Sequence, residues 1–195
     1  MKLISVTNRK ICTENFLCRI QRIVNAGIDA IILREKDLTP AAYKVLAEKC
    51  LAICRGTQTE LICNQFENIA STLYLPIQLS FSDFMALSPL HQKKQPIGVS
   101  VHSMEEAHIA AENGAAWLIA GHIFETACKP GLPPRGIEFL KNICNHVMIP
   151  VYAIGGVTAE KHSMLSYAGA AGGCIMSEYM IVPDVEERIL AWLSL

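Results

Sequence analysis

Residues 96–124, PIGVSVHSMEEAHIAAENGAAWLIAGHIF, contain two apolar runs with a helical segment between them. The runs PIGVSVH (96–102) and AAWLIAGHIF (115–124) are apolar on mostly consecutive positions, which is typical of strands covered on both faces. Ser103 and Glu106 have the spacing of a capping box and predict a helix that begins between the runs. A strand, a helix and a second strand predict a parallel pair, because the helix returns the chain to the edge where the first strand began.

The same alternation continues along the whole chain. Strand-like runs lie at 2–7, 29–35, 60–64, 77–81, 96–102, 115–124, 150–157 and 172–177. Segments with helical spacing separate them, for example 14–26 and 40–55, and Thr39-Pro40 marks the start of the second of these. In 40–55 the apolar residues that show this helical spacing are Ala41, Val45, Leu46 and Ile53. Residues 82–94 have a weaker pattern, typical of a turn or a short helix.

Eight strand–helix units predict an α/β fold, the closed (β/α)8 or TIM barrel, formed by residues 1–195 as a single domain. An open doubly wound sheet is the alternative. No G-x-G-x-x-G follows the first strand, which argues against the dinucleotide-binding form of that alternative.

Composition excludes several classes of function. The 195 residues carry 17 Lys+Arg and 18 Asp+Glu, a formal net charge of −1, whereas a nucleic-acid-binding domain needs a basic surface to displace counterions. No run reaches the roughly 18 apolar residues of a membrane span, and the N-terminus has too short an apolar run for a secretory signal. The eight cysteines form no C-x-x-C pair, which predicts reduced thiols and no metal site. We therefore expect a cytoplasmic protein that binds neither nucleic acid nor membrane.

Polar residues at the carboxyl ends of the predicted strands are the candidates for a binding site, since TIM barrels place their chemistry there. These candidates are Arg34, Lys36, Asn64, Ser100, Met176 and Ser177. The longest loop, ETACKPGLPPR (125–135), adds Thr126 and Lys129 after the sixth strand. Long loops in compact domains are usually functional, and cations beside hydroxyls suit an anionic ligand.

Gly155-Gly156 follows the seventh strand and has two interpretations. Glycine lets backbone N–H groups approach a phosphate, and with Ser177 one strand later the pair resembles the phosphate site common in these barrels. The other interpretation is a tight turn that needs positive φ.

His122 is the candidate for proton transfer, because an imidazole can give and take protons near neutral pH and this one leads into the long loop. A hydrogen-bonded core histidine is the alternative interpretation. His102 has two interpretations, which are contact with the substrate and packing at the end of its strand.

Five segments carry a resemblance to a known family. They are GHIFETACKPGLPPRG (121–136), VSVHSMEEA (99–107), LREK (33–36), AIGGV (153–157) and IMS (175–177). Together they resemble the thiamine phosphate synthase superfamily, and within it the thiazole tautomerase (TenI-like) branch. The resemblance implies a (β/α)8 barrel that acts in thiamine biosynthesis on a small thiazole phosphate. It is compatible with a homodimer, although the sequence shows no interface.

Departures from the synthase pattern concern Mg²⁺, which the synthases use to hold a leaving diphosphate. Their strand-3 Asn-Asp is Asn64-Gln65 here, and their strand-4 G-Q-x-D is 80–83, SFSD, with Asp83 as the remaining carboxylate. Their Gly-Pro after the sixth strand is Gly121-His122, as the resemblance to the tautomerase branch implies. We therefore expect no metal or other cofactor, with Mg²⁺ required only if the chain is a synthase.

The resulting prediction is an isomerase, a thiazole tautomerase that aromatises a carboxythiazole phosphate tautomer. In it His122 moves the proton, Gly155, Gly156 and Ser177 bind the phosphate, and Arg34, Lys36 or Lys129 meets the ring carboxylate. Two alternatives remain open. One is a thiamine phosphate synthase that couples hydroxymethylpyrimidine diphosphate to thiazole phosphate, and the other is a non-catalytic regulator that binds a thiamine-related phosphate.

Overall fold

The computed structural model describes residues 1–87 and 94–195, and its eight parallel strands close into a barrel in chain order. The strands are β1 Lys2–Val6, β2 Ala30–Leu33, β3 Glu60–Asn64, β4 Ile77–Ser80, β5 Ile97–Val101, β6 Trp117–Gly121, β7 Val151–Ile154 and β8 Gly172–Ile175. The pairing of Lys2 on β1 with Gly172 on β8 closes the sheet. The predicted (β/α)8 barrel is therefore confirmed and the open doubly wound sheet is excluded.

Helices cover the outside of the barrel. They are α1 Phe16–Asn25, α2 Pro40–Cys54, α3 Glu67–Leu73, α4 Phe81–Ala86, α5 Met104–Glu112, α6 Gly136–His146, α7 His162–Tyr167, α8 Ser177–Ile181 and α9 Val185–Leu193. The weak helix prediction over 82–94 corresponds to α4 at its start, and its part at 88–93 lies outside the described residues. Within the described ranges no helix has both the length and the apolar character needed to cross a bilayer.

The sequence signals for helix starts act as capping residues in the structure. Thr39 Oγ1 accepts a hydrogen bond from the Ala42 N–H, with Pro40 as the first residue of α2. Ser103 Oγ accepts from the Glu106 N–H at 3.0 Å, and the Glu106 carboxylate accepts from the His102 N–H at 2.6 Å. These bonds satisfy backbone donors that have no partner within the first turn of a helix.

The core has two layers because successive side chains of a strand point to opposite faces of the sheet. One layer fills the inside of the barrel and contains Ile4, Val6, Ile32, Ile119 and Tyr152. The other layer lies between the strands and the helices. Strands buried on both faces explain the continuous apolar runs of the sequence. Only the inward-facing residues near the carboxyl ends remain to form a cavity.

The helix predicted from the spacing over 40–55 is present as α2, and its buried face is formed largely by residues other than the four that show this spacing. Its buried residues are Tyr43, Ala47, Cys50 and Cys54, whereas Val45 is 52% exposed. The Tyr43 hydroxyl donates to the Leu33 carbonyl at 2.7 Å and accepts from the Asn64 N–H at 2.9 Å, and this anchors the face. Burial raises the pKa of Cys50 to about 12 and that of Cys54 to about 11. These thiols therefore stay protonated and pack as small apolar side chains.

Candidate functional site

A cavity of about 700 Å³ is lined by the carboxyl ends of the strands and the loops that follow them. Ten residues predicted from the sequence to bind substrate line it: Arg34, Lys36, Asn64, Ser100, Thr126, Lys129, Gly155, Gly156, Met176 and Ser177. The fold brings them together because the ends of parallel strands meet at one end of a barrel.

The wall of this cavity has a polar and an apolar side. The polar residues from β3 to β5 and the residue after β5 are Asn64, Gln78, Ser80, Ser100 and His102. The apolar residues come from β1, β2, β6, β7 and β8 and include Val6, Ile32, Ile119, Ile154 and Cys174. A heteroaromatic ring matches such a wall, because its faces are apolar while its edge makes hydrogen bonds.

Cationic side chains give the cavity its charge. Arg34 and Lys36 follow β2, and Lys129 reaches the cavity from the loop after β6. In the described part of the chain, Glu178 is the carboxylate among the residues that line the cavity, and burial raises its pKa. The arrangement suits a ligand with more than one negative charge.

Glu35 fixes the backbone between the two cations that follow β2. Its carboxylate is 2% exposed and accepts hydrogen bonds from Thr7 Oγ1 at 2.7 Å and from the Arg9 N–H at 3.0 Å. Thr7 Oγ1 in turn accepts from the Arg34 N–H at 3.0 Å. The chain after β1 and the chain after β2 are thereby tied together, which holds Arg34 in place.

We expect the stability contribution of Glu35 to fall as pH rises. Burial raises its pKa above the ordinary value of 4.5, against the hydrogen bonds from Thr7 and Arg9 and the charge of Arg9. The folded state therefore binds this proton more tightly than the unfolded chain does, and the protein loses stability as pH rises from the ordinary value through the raised one. Urea unfolding of wild type and Glu35→Gln between about pH 4.5 and about pH 7 should show wild type losing stability relative to the variant.

Glu48→Gln is the matched control for this experiment, because Glu48 is an exposed carboxylate on α2. The comparison of wild type with Glu48→Gln gives the effect of removing a surface carboxylate alone, and the pH-dependent change for Glu35→Gln should exceed it. A difference between wild type and Glu35→Gln that grows in favour of wild type toward neutral pH would contradict the prediction.

The Gly155-Gly156 turn fits both of its predicted interpretations. The two residues have φ of +93° and +63°, which L side chains rarely adopt. The Gly155 carbonyl accepts from the Phe124 N–H at 3.0 Å, and the Gly156 carbonyl accepts from Lys161 Nζ at 2.5 Å. With both carbonyls bonded within the described residues, the N–H groups of the turn are the polar atoms left for a ligand.

The long loop folds over the cavity toward β8. Thr126, Cys128 and Lys129 of this loop line the cavity. The Cys128 thiol lies 3.9 Å from the Ser177 hydroxyl, at the start of α8. The loop and the residues after β8 therefore approach each other on the side of the cavity that holds the Gly155-Gly156 turn.

His122, the predicted proton carrier, does not line the cavity. It is 7% exposed, and its Nε2 lies 3.2 Å from the Leu132 carbonyl. Because a carbonyl oxygen only accepts, Nε2 donates this bond, and the imidazole supports the loop from below. His102 does line the cavity; its Nδ1 donates to the Gly121 carbonyl at 2.7 Å, which leaves Nε2 as an acceptor in the neutral ring.

The side chains present do not fit a Mg²⁺ ion held by the protein. The Asp83 carboxylate accepts from Ser80 Oγ at 2.6 Å and does not line the cavity, and the residue after Asn64 is the amide Gln65. Across residues 1–87 and 94–195 no group of three or more His, Cys, Asp or Glu could hold a metal ion. Asn64 Oδ1 is a buried oxygen without a hydrogen-bond partner, but one amide oxygen is a weak substitute for carboxylate ligands.

The polar cavity residues that were not predicted include Gln78 and Ser80. Both lie on the inward face of β4, two residues apart. The signal for them was present, because a glutamine inside the apolar run 77–81 must either face solvent or find hydrogen bonds. Inside a closed barrel, only the second choice is available.

Comparison with known proteins gives a consistent set of similarities. The model of the family described as "Thiamine monophosphate synthase" matches residues 3–179. The chain is 32% identical over 198 residues to "Thiamine-phosphate synthase 2" of Streptococcus pneumoniae, covering 100% of the chain and 94% of that protein. It is 32% identical over 191 residues to "Thiamine-phosphate synthase" of Clostridium acetobutylicum, covering 96% and 90%. A thiamine phosphate pyrophosphorylase from Pyrococcus furiosus shares the fold with a TM-score of 0.87 at 24% identity, covering 99% and 94%.

These similarities overturn the prediction of a thiazole tautomerase, and with it the prediction of an isomerase. The curated relatives that match over the whole chain are named as synthases. The prediction gave most weight to His122 and to the missing carboxylate at Gln65. The structure removes the first of these reasons, because the His122 imidazole donates to a loop carbonyl outside the cavity.

Proposed function

We infer that this chain, which belongs to the thiamine monophosphate synthase family, is a thiamine-phosphate synthase. It would be a transferase that couples hydroxymethylpyrimidine diphosphate to thiazole phosphate. The observation that carries this proposal is that a single cavity holds three cationic side chains and a Gly-Gly turn. A tautomerase would also place two anions here, a phosphate and a ring carboxylate, but it would need a base in the cavity as well, and His122, the predicted base, does not line it. Coupling needs no base, and three cations suit the higher charge of a diphosphate.

The cationic part of the cavity is assigned to the diphosphate. Arg34, Lys36 and Lys129 supply positive charge, and the hydroxyls of Ser100 and Thr126 supply further donors. A diphosphate has several oxygens that accept hydrogen bonds, and bonds between charged partners are about twice as strong as neutral ones. Glu35 supports this part of the cavity from behind through Thr7 and Arg9.

The glycine part of the cavity is assigned to the phosphate of the thiazole. The N–H groups of Gly155 and Gly156 and the hydroxyl of Ser177 are the donors there, and Met176 adds an apolar contact. The rings of both substrates would then lie over the apolar wall formed by Ile32, Ile119 and their neighbours.

The coupling step needs charge stabilisation but no proton carrier. The thiazole nitrogen forms a bond to the methylene carbon of the pyrimidine, and the bond from that carbon to the diphosphate oxygen breaks with its electron pair. Negative charge grows on the leaving oxygen, and Arg34, Lys36 and Lys129 are placed to stabilise it. The side chains of the described residues do not fit a Mg²⁺ ion held by the protein. We therefore assign the stabilisation of the leaving diphosphate to these three cationic side chains.

The direct test is to supply the purified protein with both substrates, with and without Mg²⁺, and to measure thiamine phosphate and released diphosphate by chromatography. We expect the two products in equal amounts. Binding of thiazole phosphate by calorimetry without any turnover would instead indicate the non-catalytic regulator. Formation of neither product nor complex would contradict both functions.

His122 should be dispensable for coupling. We expect the activity of His122→Gln to fall by much less than the roughly 100-fold loss that follows removal of a proton-transfer group. The variant should lose about 1 kcal/mol of stability, because the hydrogen bond to the Leu132 carbonyl is weakened. Steady-state kinetics and urea unfolding measure the two effects.

His108→Gln is the control for this variant, because His108 lies exposed on α5 and pairs with Glu112. A loss of 100-fold or more in His122→Gln, with an unchanged unfolding curve and a normal His108→Gln, would return a catalytic role to His122.

A further inference from the structure

A buried polar network lies in the wall of the cavity between β4, β5 and β6. Its centre is Gln78, which is 2% exposed. Gln78 Oε1 accepts a hydrogen bond from Trp117 Nε1 at 2.8 Å, and Gln78 Nε2 donates to Ser100 Oγ at 3.0 Å. We propose that Gln78 is a positioning residue which, locked by Trp117, turns the Ser100 hydroxyl into a hydrogen-bond donor toward an anionic oxygen in the cavity. This inference rests on the proposed function in taking the ligand to be a diphosphate.

The orientation of the Gln78 amide follows from Trp117. The two ends of a glutamine amide are close in shape, so hydrogen-bond partners must decide which end is oxygen. An indole N–H can only donate, and the group that faces Trp117 Nε1 must therefore be the oxygen of Gln78. The amide nitrogen is then directed to Ser100, with the Leu79 carbonyl at 3.5 Å as a second acceptor.

The direction of the Ser100 hydroxyl follows from the amide. A serine hydroxyl has one hydrogen and two lone pairs, and Gln78 Nε2 occupies one lone pair as a donor. The hydrogen of Ser100 cannot point at that nitrogen and remains for another acceptor. Because Ser100 lines the cavity, this acceptor is the ligand, and a charged oxygen of a diphosphate is a strong acceptor, whereas an N–H group of a ligand could not accept.

The backbone is shaped to accommodate this network. A Cβ atom on Gly98 would lie 2.1 Å from Trp117 Nε1 and 2.2 Å from Gln78 Oε1, so the indole and the amide meet in the space that the glycine leaves. Gly98 is opposite Gln78 in the sheet register and shares the inward face of β5 with Ser100. The Gln78 carbonyl also accepts from Asn64 Nδ2 at 2.9 Å, which fixes residue 78 from β3.

A double-mutant cycle on Gln78 and Ser100 tests the inference, with binding of inorganic pyrophosphate to the full chain measured by calorimetry. We expect Ser100→Ala to weaken binding about tenfold or more, since a hydrogen bond to a charged group is lost. Gln78→Met should weaken it about three- to tenfold, because the hydroxyl loses its fixed direction. In the double variant Gln78→Met should add no further loss, because its effect acts through Ser100.

Trp117→Phe is a second variant that keeps the inference testable if Gln78→Met does not fold. Trp117 is outside the set of residues that line the cavity, yet its loss frees the amide to rotate and should weaken pyrophosphate binding severalfold. The indole N–H resonances of the two tryptophans provide a further measurement. One of them should shift in Gln78→Met and stay in place in Ser100→Ala.

Additive losses in the cycle, or unchanged affinity in Trp117→Phe, would overturn the role of Gln78 while leaving the proposed function intact. Absence of pyrophosphate binding to the wild-type protein would overturn both, because no anion would then occupy this part of the cavity.

Discussion

Replacing Arg34 with methionine should lower kcat/KM for thiamine phosphate formation by about 100-fold or more, which is the typical loss on removing one group that stabilises charge in the transition state. Arg34 lines the cavity after β2, and its backbone is tied to Thr7 and, through Thr7, to Glu35. A guanidinium on a backbone fixed in this way can donate two parallel bonds to a diphosphate, which methionine cannot replace although it is also a long unbranched side chain. Steady-state kinetics with both substrates measure the loss.

The effect of Arg34→Met should be confined to the diphosphate. Calorimetry should show weaker binding of inorganic pyrophosphate and unchanged binding of thiazole phosphate, which is assigned to Gly155, Gly156 and Ser177. Arg55→Met is the matched control, because Arg55 is an exposed arginine that follows α2 at the opposite end of the barrel. If Arg34→Met behaves like Arg55→Met, the cationic side of the cavity does not hold the diphosphate.

The barrel was predictable because its signal is repeated eight times. Each strand is apolar on mostly consecutive positions, and one weak segment, such as 82–94, does not change the topology. The helical spacing over 40–55 did not show which face of α2 is buried, because it rested on aliphatic residues and gave no weight to Tyr43 or to the cysteines. Tyr43 is buried there because its hydroxyl bonds Leu33 and Asn64, and such a long-range contact cannot be read from spacing alone.

The alternation of side chains explains which residues within the strands face the cavity. On β5 it places Ser100 on the same face as Gly98. Beyond the last residue of a strand the rule no longer holds, since the consecutive residues Met176 and Ser177 both line the cavity. His122 follows the end of β6, so alternation in the sequence could not decide the direction of its side chain.

The sequence indicated the correct superfamily, but the predicted reaction was wrong. The loss of carboxylates at Gln65 and around Asp83 was interpreted as the loss of diphosphate chemistry. Positively charged side chains can stabilise a leaving diphosphate, as a metal ion does. Three such side chains line this cavity. The sequence had predicted that Arg34, Lys36 and Lys129 would meet at the mouth of the barrel, but it did not assign to them the charge stabilisation that the missing carboxylates would supply through a metal ion.

Replacing Gly156 with alanine should both destabilise the protein and impair binding of thiazole phosphate. Gly156 has φ of +63°, and a Cβ atom there would lie 2.3 Å from the Glu125 carbonyl oxygen and 2.8 Å from Phe124 Cβ. Backbone strain of about 1–3 kcal/mol and overpacking of about 1–3 kcal/mol together predict a loss of roughly 2–6 kcal/mol in the free energy of unfolding. The turn must shift to relieve the contact, so its N–H groups move and the affinity for thiazole phosphate should fall about tenfold or more.

Gly56→Ala separates the two causes, because Gly56 also has positive φ, +77°, but a Cβ atom there meets nothing within 4 Å. It precedes β3 at the opposite end of the barrel, so it should lose only about 1–2 kcal/mol from the left-handed conformation and keep full affinity for thiazole phosphate. Urea unfolding and calorimetry on both variants give the comparison. A Gly156→Ala protein that is destabilised yet binds thiazole phosphate normally would show that the turn needs glycine for its conformation alone, and the phosphate would then have to be bound elsewhere in the cavity.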